Sequence, residues 1–435
     1  MTITIEDITA AEDRIDDAAG IRRTPVQTSS TLGHRLDADV RLKCEHLQKT
    51  GSFKPRGAFN AIHRLADGDA DRVVAASAGN HAQGVAFAAT ELGLESVIVM
   101  PETAPQAKVD ATEGYGATVR LVGDTFADAM ETARSLAADP DTEFVHAYDD
   151  PDVVAGQGTI GLELLEQVPE MSLLTVPIGG GGLIGGIATA VKAIDDSVRI
   201  VGVQAETAAT VPQSLRKGRP IENETPDTIA DGIATGSVSD LTLGIIDEHV
   251  DEVVTVTDTE IAQATLWLLE RTKQLVEGAA AAAVAPLLTG AVDCRDETVV
   301  PVLGGGNIDV ATLQDILTRA LVDRRQFVTL TVRIDDRPGV LGEVAEIIGH
   351  HDTNVRSVRH DRSEEGLPVG TADLVIRMTT PGTAAIDRII ADLEAAGYAI
   401  KRVVPAIHSE DVDGGGDGAG SDGGNGSSDD ELTTN

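Results

Sequence analysis

The chain has 435 residues, 42% of them hydrophobic, enough for about two to four domains with an ample apolar core and no need of a disulfide or metal staple. Against 34 Lys and Arg stand 71 Asp and Glu, a formal charge of −37, and so acidic a surface repels nucleic acid and anionic lipid, which sets both aside as partners. Cys44 and Cys294 make neither a disulfide framework nor a metal cage, the start of the chain lacks a basic and apolar leader, and no stretch approaches the ~18 unbroken apolar residues of a membrane span, so the reading is a reduced cytoplasmic protein without a metal. In chain order, a strand over 40–47 leads to a helix beginning near residue 54. A strand over 72–77 precedes a helix over 80–92, a strand over 96–100 precedes a helix over 104–114, and a strand over 173–178 precedes a helix over 183–194. Short β-branched runs followed by amphipathic helices predict an α/β fold of open parallel sheets wrapped on both faces. From residue 327 the rhythm changes to strand 327–334, a turn at Arg337, Pro338 and Gly339, helix 340–350, strands near 355–360 and 372–378, and helix 383–396. That order fits a separate α+β module of about 75 to 80 residues, spanning 327–404. Residues 405–435 turn to Gly, Ser and Asp and are expected to be disordered.

The basic residues are 26 Arg and 8 Lys. Acidic excess with scarce lysine suits a protein working in molar salt, where the Debye length shrinks to about 3 Å and self-repulsion is screened.

Three segments carry candidate chemistry. Gly179, Gly180, Gly181, Gly182 and Leu183 end a strand and open a helix, so the backbone can approach an anion while free N–H groups and the dipole of the helix N-terminus attract it. A phosphate fits there. Gly180, Gly182 and Gly185 also satisfy G-x-G-x-x-G, with Glu206 about twenty residues on, which keeps a dinucleotide site and an NAD-dependent dehydrogenase in contention. Lys54, in Ser52-Phe53-Lys54-Pro55-Arg56-Gly57-Ala58, sits at a strand-to-helix turn beside an aromatic and a proline, which suits a partly desolvated nucleophilic amine; read alone, the segment favours a solvated surface lysine. Ser77, Ala78, Gly79, Asn80 and His81 open another helix with amides suited to a carboxylate. His81 is either a general base or a structural histidine.

An amine, a carboxylate nest and a phosphate nest together are what an amino-acid enzyme using pyridoxal 5'-phosphate requires. These segments, with further matches over 228–234, 276–279 and 304–307, resemble the tryptophan-synthase-like pyridoxal phosphate family, in particular the threonine deaminases with serine dehydratase and serine racemase. The resemblance runs over about 8–321. It implies a two-domain catalytic part over 1–321 with a smaller subdomain inserted at about 54–150, working in amino-acid metabolism on the way to isoleucine. By the same resemblance, Lys54 holds the cofactor aldehyde and takes the substrate's α-proton. Phe53 and Asn80 lie against the pyridine ring and its hydroxyl, residues 179–183 hold the phosphate, and residues 77–81 hold the substrate carboxylate. Gly304 stands where relatives present Ser or Cys to the pyridine nitrogen, so a side-chain partner is missing. The leading expectation is elimination of water from L-threonine to give 2-oxobutanoate and ammonia, with the cofactor phosphate protonating the leaving hydroxyl. The alternatives are serine dehydration or racemisation, the dehydrogenase, and a non-enzymatic amino-acid sensor. Racemisation is disfavoured because Ala78 stands where racemases carry a Ser, and Gln204 where they carry a carboxylate cation ligand.

Residues 327–404 resemble an ACT regulatory domain, with Gly339, Val340, Leu341 and Asn354 expected to bind a small effector, usually across a pair of modules. A homo-oligomer, dimer or tetramer, is implied; a module that only oligomerises is the alternative.

Overall fold

The structure, a computed structural model, describes residues 3–16, 20–68, 70–223, 226–363 and 367–405. The chain divides into two compact units, 1–320 and 321–435.

The first unit is built on two sheets. The Leu173–Pro177 strand is buried at every residue, as a strand covered on both faces must be. It lies fourth in a six-stranded sheet ordered Val26–Thr28, Asp39–Lys43, Thr298–Pro301, Leu173–Pro177, Arg199–Ala205, Glu252–Val256. All neighbours pair in parallel except the first two, which are antiparallel. The second sheet is wholly parallel, ordered Thr118–Leu121, Glu95–Met100, Arg72–Ala76, Thr142–Phe144. Parallel strands bring all their C-terminal ends to one edge, which is where open α/β sheets hold ligands.

The helix that carries Lys54, Lys54–Ala66, crosses Pro151–Gln167 at backbone distance: a Cβ added to Gly156 would lie 2.6 Å from the Arg56 carbonyl oxygen. Beside this crossing is a buried ion network. Arg56 donates through Nε and Nη2 to Glu45 (2.9 and 2.9 Å) and through Nη1 to Glu163 (2.6 Å), and Lys43 Nζ reaches Glu163 and the Thr24 carbonyl. Two cations face two anions, so the cluster locks strand, helix and helix together without net buried charge.

This network explains one departure from the sequence reading. The strand expected over 40–47 ends at Lys43, and Glu45–Leu47 is a 3-10 turn. The alternating pattern continues past Lys43, but the Glu45 carboxylate is drawn to Arg56 and the His46 N–H bonds the Leu303 carbonyl at 3.0 Å. Lys54 therefore follows a loop, not a tight strand-to-helix turn.

The second unit holds an antiparallel sheet ordered Asn354–Asp361, Thr371–Thr379, Phe327–Asp335, Ala399–Pro405, with helices Val340–Gly349 and Thr383–Ala395. Alternate residues Val328, Leu330, Val332 and Ile334 enter its core with Val344, Ile348, Ile386 and Ile389. Pro405, expected to begin the tail, ends a strand and pairs with Val328; residues 406–435 lie outside those described. No helix among the described residues is long and apolar enough to cross a membrane.

Candidate active site

A cleft of about 920 Å³ opens where the strand ends of the two sheets of the first unit meet. Lys54 lies in it. The Phe53 N–H bonds the Gly304 carbonyl (3.0 Å), which pins this loop to the end of the Thr298–Pro301 strand. A Cβ on Gly84 would come within 3.1 Å of Lys54 Cβ, so the helix Asn80–Leu92 packs directly on the lysine. Lys54 Nζ donates to the Ala147 carbonyl (3.2 Å) and lies 5.1 Å from the centroid of the Phe53 ring. Burial lowers its pKa to about 8, against the opposing pull of Glu277.

The glycine loop follows Leu173–Pro177 and opens Gly182–Ile194, with Gly181 at φ +89° as the helix cap. That left-handed backbone favours glycine. The Gly180 carbonyl is anchored by the Thr242 hydroxyl (2.8 Å), and a Cβ on Gly180 would fall inside the Tyr148 ring. First-turn N–H groups of such a helix have no intrahelical acceptor. Residues 77–81 enter the same cleft. Ser77 Oγ accepts from the Gly79 N–H (3.2 Å) and shapes that turn. His81 Nε2 donates to the Val145 carbonyl (2.9 Å), its Nδ1 is buried without a partner, and burial pushes its pKa down to about 3. This geometry fits the structural histidine, because the nitrogen free to accept a proton is sealed from the cleft.

Three residues have a place in the cleft that the sequence did not assign, although Glu277 lies within the matched segment 276–279. Glu277 accepts from Asn80 Nδ2 at 2.9 and 3.1 Å, and its pKa is pushed up to about 7, chiefly by burial. A Cβ on Gly305 would collide with its carboxylate, so the Gly304-Gly305-Gly306-Asn307 segment makes room for an acid. Asn307 Nδ2 donates to Asn80 Oδ1 (2.8 Å) and the Thr50 carbonyl (2.6 Å), fixing the orientation of the Asn80 amide. His146 and Tyr148 line the cleft with their rings 4.7 Å apart. The matched segment 276–279 pointed to Glu277 without giving it a role; nothing local signalled His146 or Tyr148.

Gly304 lies against Phe53 and Leu183, and an added Cβ would sit 3.4 and 3.6 Å from them, so a serine fits there sterically. Gln204 is buried, with its amide oxygen accepting the Val211 N–H (3.0 Å). Among the described residues no group of three or more His, Cys, Asp or Glu could hold a metal ion.

The effector residues are not brought together within one module. Gly339, Val340 and Leu341 follow the Asp335 end of the sheet, where Asp335 pairs with Thr371. Asn354 pairs with Thr379 at the opposite end, about 25 Å away at the usual rise per residue. Val340 is also buried in the module core, which leaves only its backbone for a ligand.

Pyridoxal phosphate needs an amine for its aldehyde, donors for its phosphate and flat walls for its ring. Lys54, the glycine loop over 179–183, and Phe53 with Gly304 meet those needs, so the residues fit the group. Residues 18–305 match the pyridoxal-phosphate dependent enzyme family, and residues 328–396 match the ACT domain. The chain belongs to the pyridoxal-phosphate dependent enzyme family and carries a C-terminal ACT domain, which displaces the dinucleotide reading of the glycine loop. An L-threonine ammonia-lyase of Thermotoga maritima is 42% identical over 402 residues, covering 92% of this chain and 100% of that protein. One of Geobacter sulfurreducens is 43% identical, covering 90% of this chain and 98% of its own. Among solved structures, the processed form of threonine deaminase isoform 2 from Solanum lycopersicum aligns with TM-score 0.69 at 33% identity, over 74% of this chain and 90% of that one. Maize serine racemase aligns with TM-score 0.69 at 34% identity, over 75% and 100%.

Proposed function

We propose that this chain is an L-threonine ammonia-lyase that converts L-threonine to 2-oxobutanoate and ammonia. The observation that carries the reading is similarity to two L-threonine ammonia-lyases across both the catalytic part and the ACT domain, at 42% and 43% identity over 92% and 90% of the chain. When bound, pyridoxal phosphate supplies an electron sink for the pair left at Cα. Lys54 is the amine that would hold the aldehyde and the base that would take the substrate's α-proton; burial keeps it neutral enough near physiological pH for that. The Ala147 carbonyl holds one Nζ hydrogen and so orients the amine. The amides of 77–81 would hold the substrate carboxylate and those of 179–183 the phosphate, while Asn80, its amide fixed by Glu277 and Asn307, is the side chain that would serve the ring hydroxyl. The product released is an enamine, which water hydrolyses to the keto acid and ammonia.

The likeness to serine racemases suggests the competing outcome. Ala78 opposes it, since its methyl group can neither give nor take a proton on the face opposite Lys54. The ACT domain binds a small amino-acid effector between two copies, because one module separates residues 339–341 from Asn354, and the protein is accordingly a homo-oligomer; its place of work is the cytoplasm.

Keto-acid release from L-threonine and L-serine, with chiral analysis of recovered serine, tests the reading. It expects 2-oxobutanoate from threonine and no D-serine. D-serine forming as fast as pyruvate would overturn the choice of lyase.

A further inference from the structure

His146 is a hydrogen-bond donor that the proposed chemistry does not use. It lies in the turn between Thr142–Phe144 and Pro151–Gln167, in edge contact with Tyr148 (4.7 Å between centroids, 79° between planes) and tilted on Phe144 at 5.9 Å. Its Nδ1 accepts two backbone N–H groups, from Asp149 at 2.8 Å and Tyr148 at 3.3 Å. A ring nitrogen that accepts carries no hydrogen, so the neutral imidazole must carry its hydrogen on Nε2. Burial, Lys54 and Arg134 all favour the neutral ring, against the pull of Asp149. The Nε2–H has no acceptor among the described residues, and the residue lines the cleft.

A β-hydroxy amino acid presents three polar groups to this cleft. Its amine and Cα meet Lys54, and its carboxylate meets the amides of 77–81. The hydroxyl, which the cofactor phosphate is expected to protonate, is left without a protein partner. The unused donor is adjacent in the chain to Ala147, whose carbonyl holds Lys54 Nζ, so base and donor are positioned by the same turn. We propose that His146 Nε2–H receives and orients the β-hydroxyl oxygen of the substrate, a role that rests on the ammonia-lyase reading. In the elimination the Cα–H and Cβ–O bonds break, a Cα=Cβ bond forms, and the hydroxyl leaves as water, balanced by the proton lost from Cα. His146 keeps its own hydrogen, since giving it up would leave an imidazolate. It acts because a hydrogen bond to oxygen gaining negative charge is stronger than one to a neutral hydroxyl.

The test compares His146→Leu with His146→Gln, whose amide restores an N–H donor, as holoenzymes. Three quantities are measured: the cofactor dissociation constant, kcat/KM for L-threonine, and the inhibition constant of L-2-aminobutanoate, which is L-threonine without the hydroxyl. The Leu variant is expected to lose about 100-fold in kcat/KM with the cofactor and inhibitor constants unchanged, and the Gln variant to recover a large part of that loss. Equal losses toward threonine and inhibitor, or unaltered threonine kinetics, would overturn the role of His146 alone. A wild-type enzyme that turns over neither threonine nor serine would overturn the lyase reading and this inference with it.

Discussion

A carboxyl group that prefers its proton in the folded state makes stability depend on pH, and Glu277 is the clearest case in the cleft. Its pKa rises from 4.5 unfolded to about 7 folded, because burial disfavours the charge more than the Asn80 amide supports it. The folded state therefore binds more protons across that window, and stability falls as pH rises from about 4.5 to 7. Glu277→Gln keeps an acceptor for Asn80 and removes the titration. In the cofactor-free protein its stability relative to wild type should grow by on the order of 3 kcal/mol between pH 4 and pH 8. Denaturant melts at the two pH values check this; a difference that stays flat would mean that folding does not shift the titration of Glu277. The sequence showed the role of Lys54 but not that of Glu277, which it marked only as part of the segment 276–279, and it did not mark His146. A lysine inside a dense local motif is legible, whereas Glu277 gains its character from Asn80 and Gly305, and His146 from backbone N–H groups and a burial that only the fold creates.

At the scale of elements, the helix expected over 80–92 spans Asn80–Leu92, and the strand expected over 173–178 spans Leu173–Pro177. The helix lies between Gly79 and Gly93, and the strand ends at Pro177 just before the glycine loop, so local breakers mark where each one stops. The strand over 40–47 was overextended because alternation alone cannot reveal that Glu45 leaves the sheet for a buried ion network. The glycine loop makes its own prediction. Gly181 has φ +89°, and a Cβ there would lie 2.8 Å from Thr242 Cβ, so Gly181→Asp adds strain, a clash and a negative charge to a nest suited to phosphate. The dissociation constant for pyridoxal phosphate should rise by about 100-fold or more, read from absorbance titration. Unchanged affinity would place the phosphate elsewhere.

For the whole molecule, every cofactor-site residue lies before residue 321 and the ACT match lies after it. Deleting 327–435 should leave keto-acid release largely intact and abolish any response to added amino-acid effectors; a response that survives the deletion would contradict the regulatory reading of the ACT domain. The division into two architectures was legible because the alternation of strand and helix gives way after residue 327 to an antiparallel pattern. The effector site was less so, since a motif list cannot say that Gly339 and Asn354 lie at opposite ends of one sheet. The charge of −37 is a property of the entire chain. It predicts a melting temperature that climbs with added salt toward the molar range as repulsion is screened, and an equally stable protein in dilute buffer would remove the salt-adapted reading.

The claim on which all of this turns is that Lys54 carries the cofactor. Borohydride reduction of the purified holoenzyme followed by peptide mass mapping reads it directly. The pyridoxyl phosphate mass should appear on the peptide containing Lys54 and disappear in Lys54→Ala, together with keto-acid release from L-threonine. Label on any other of the 8 lysines, or turnover that survives the substitution, would contradict the account.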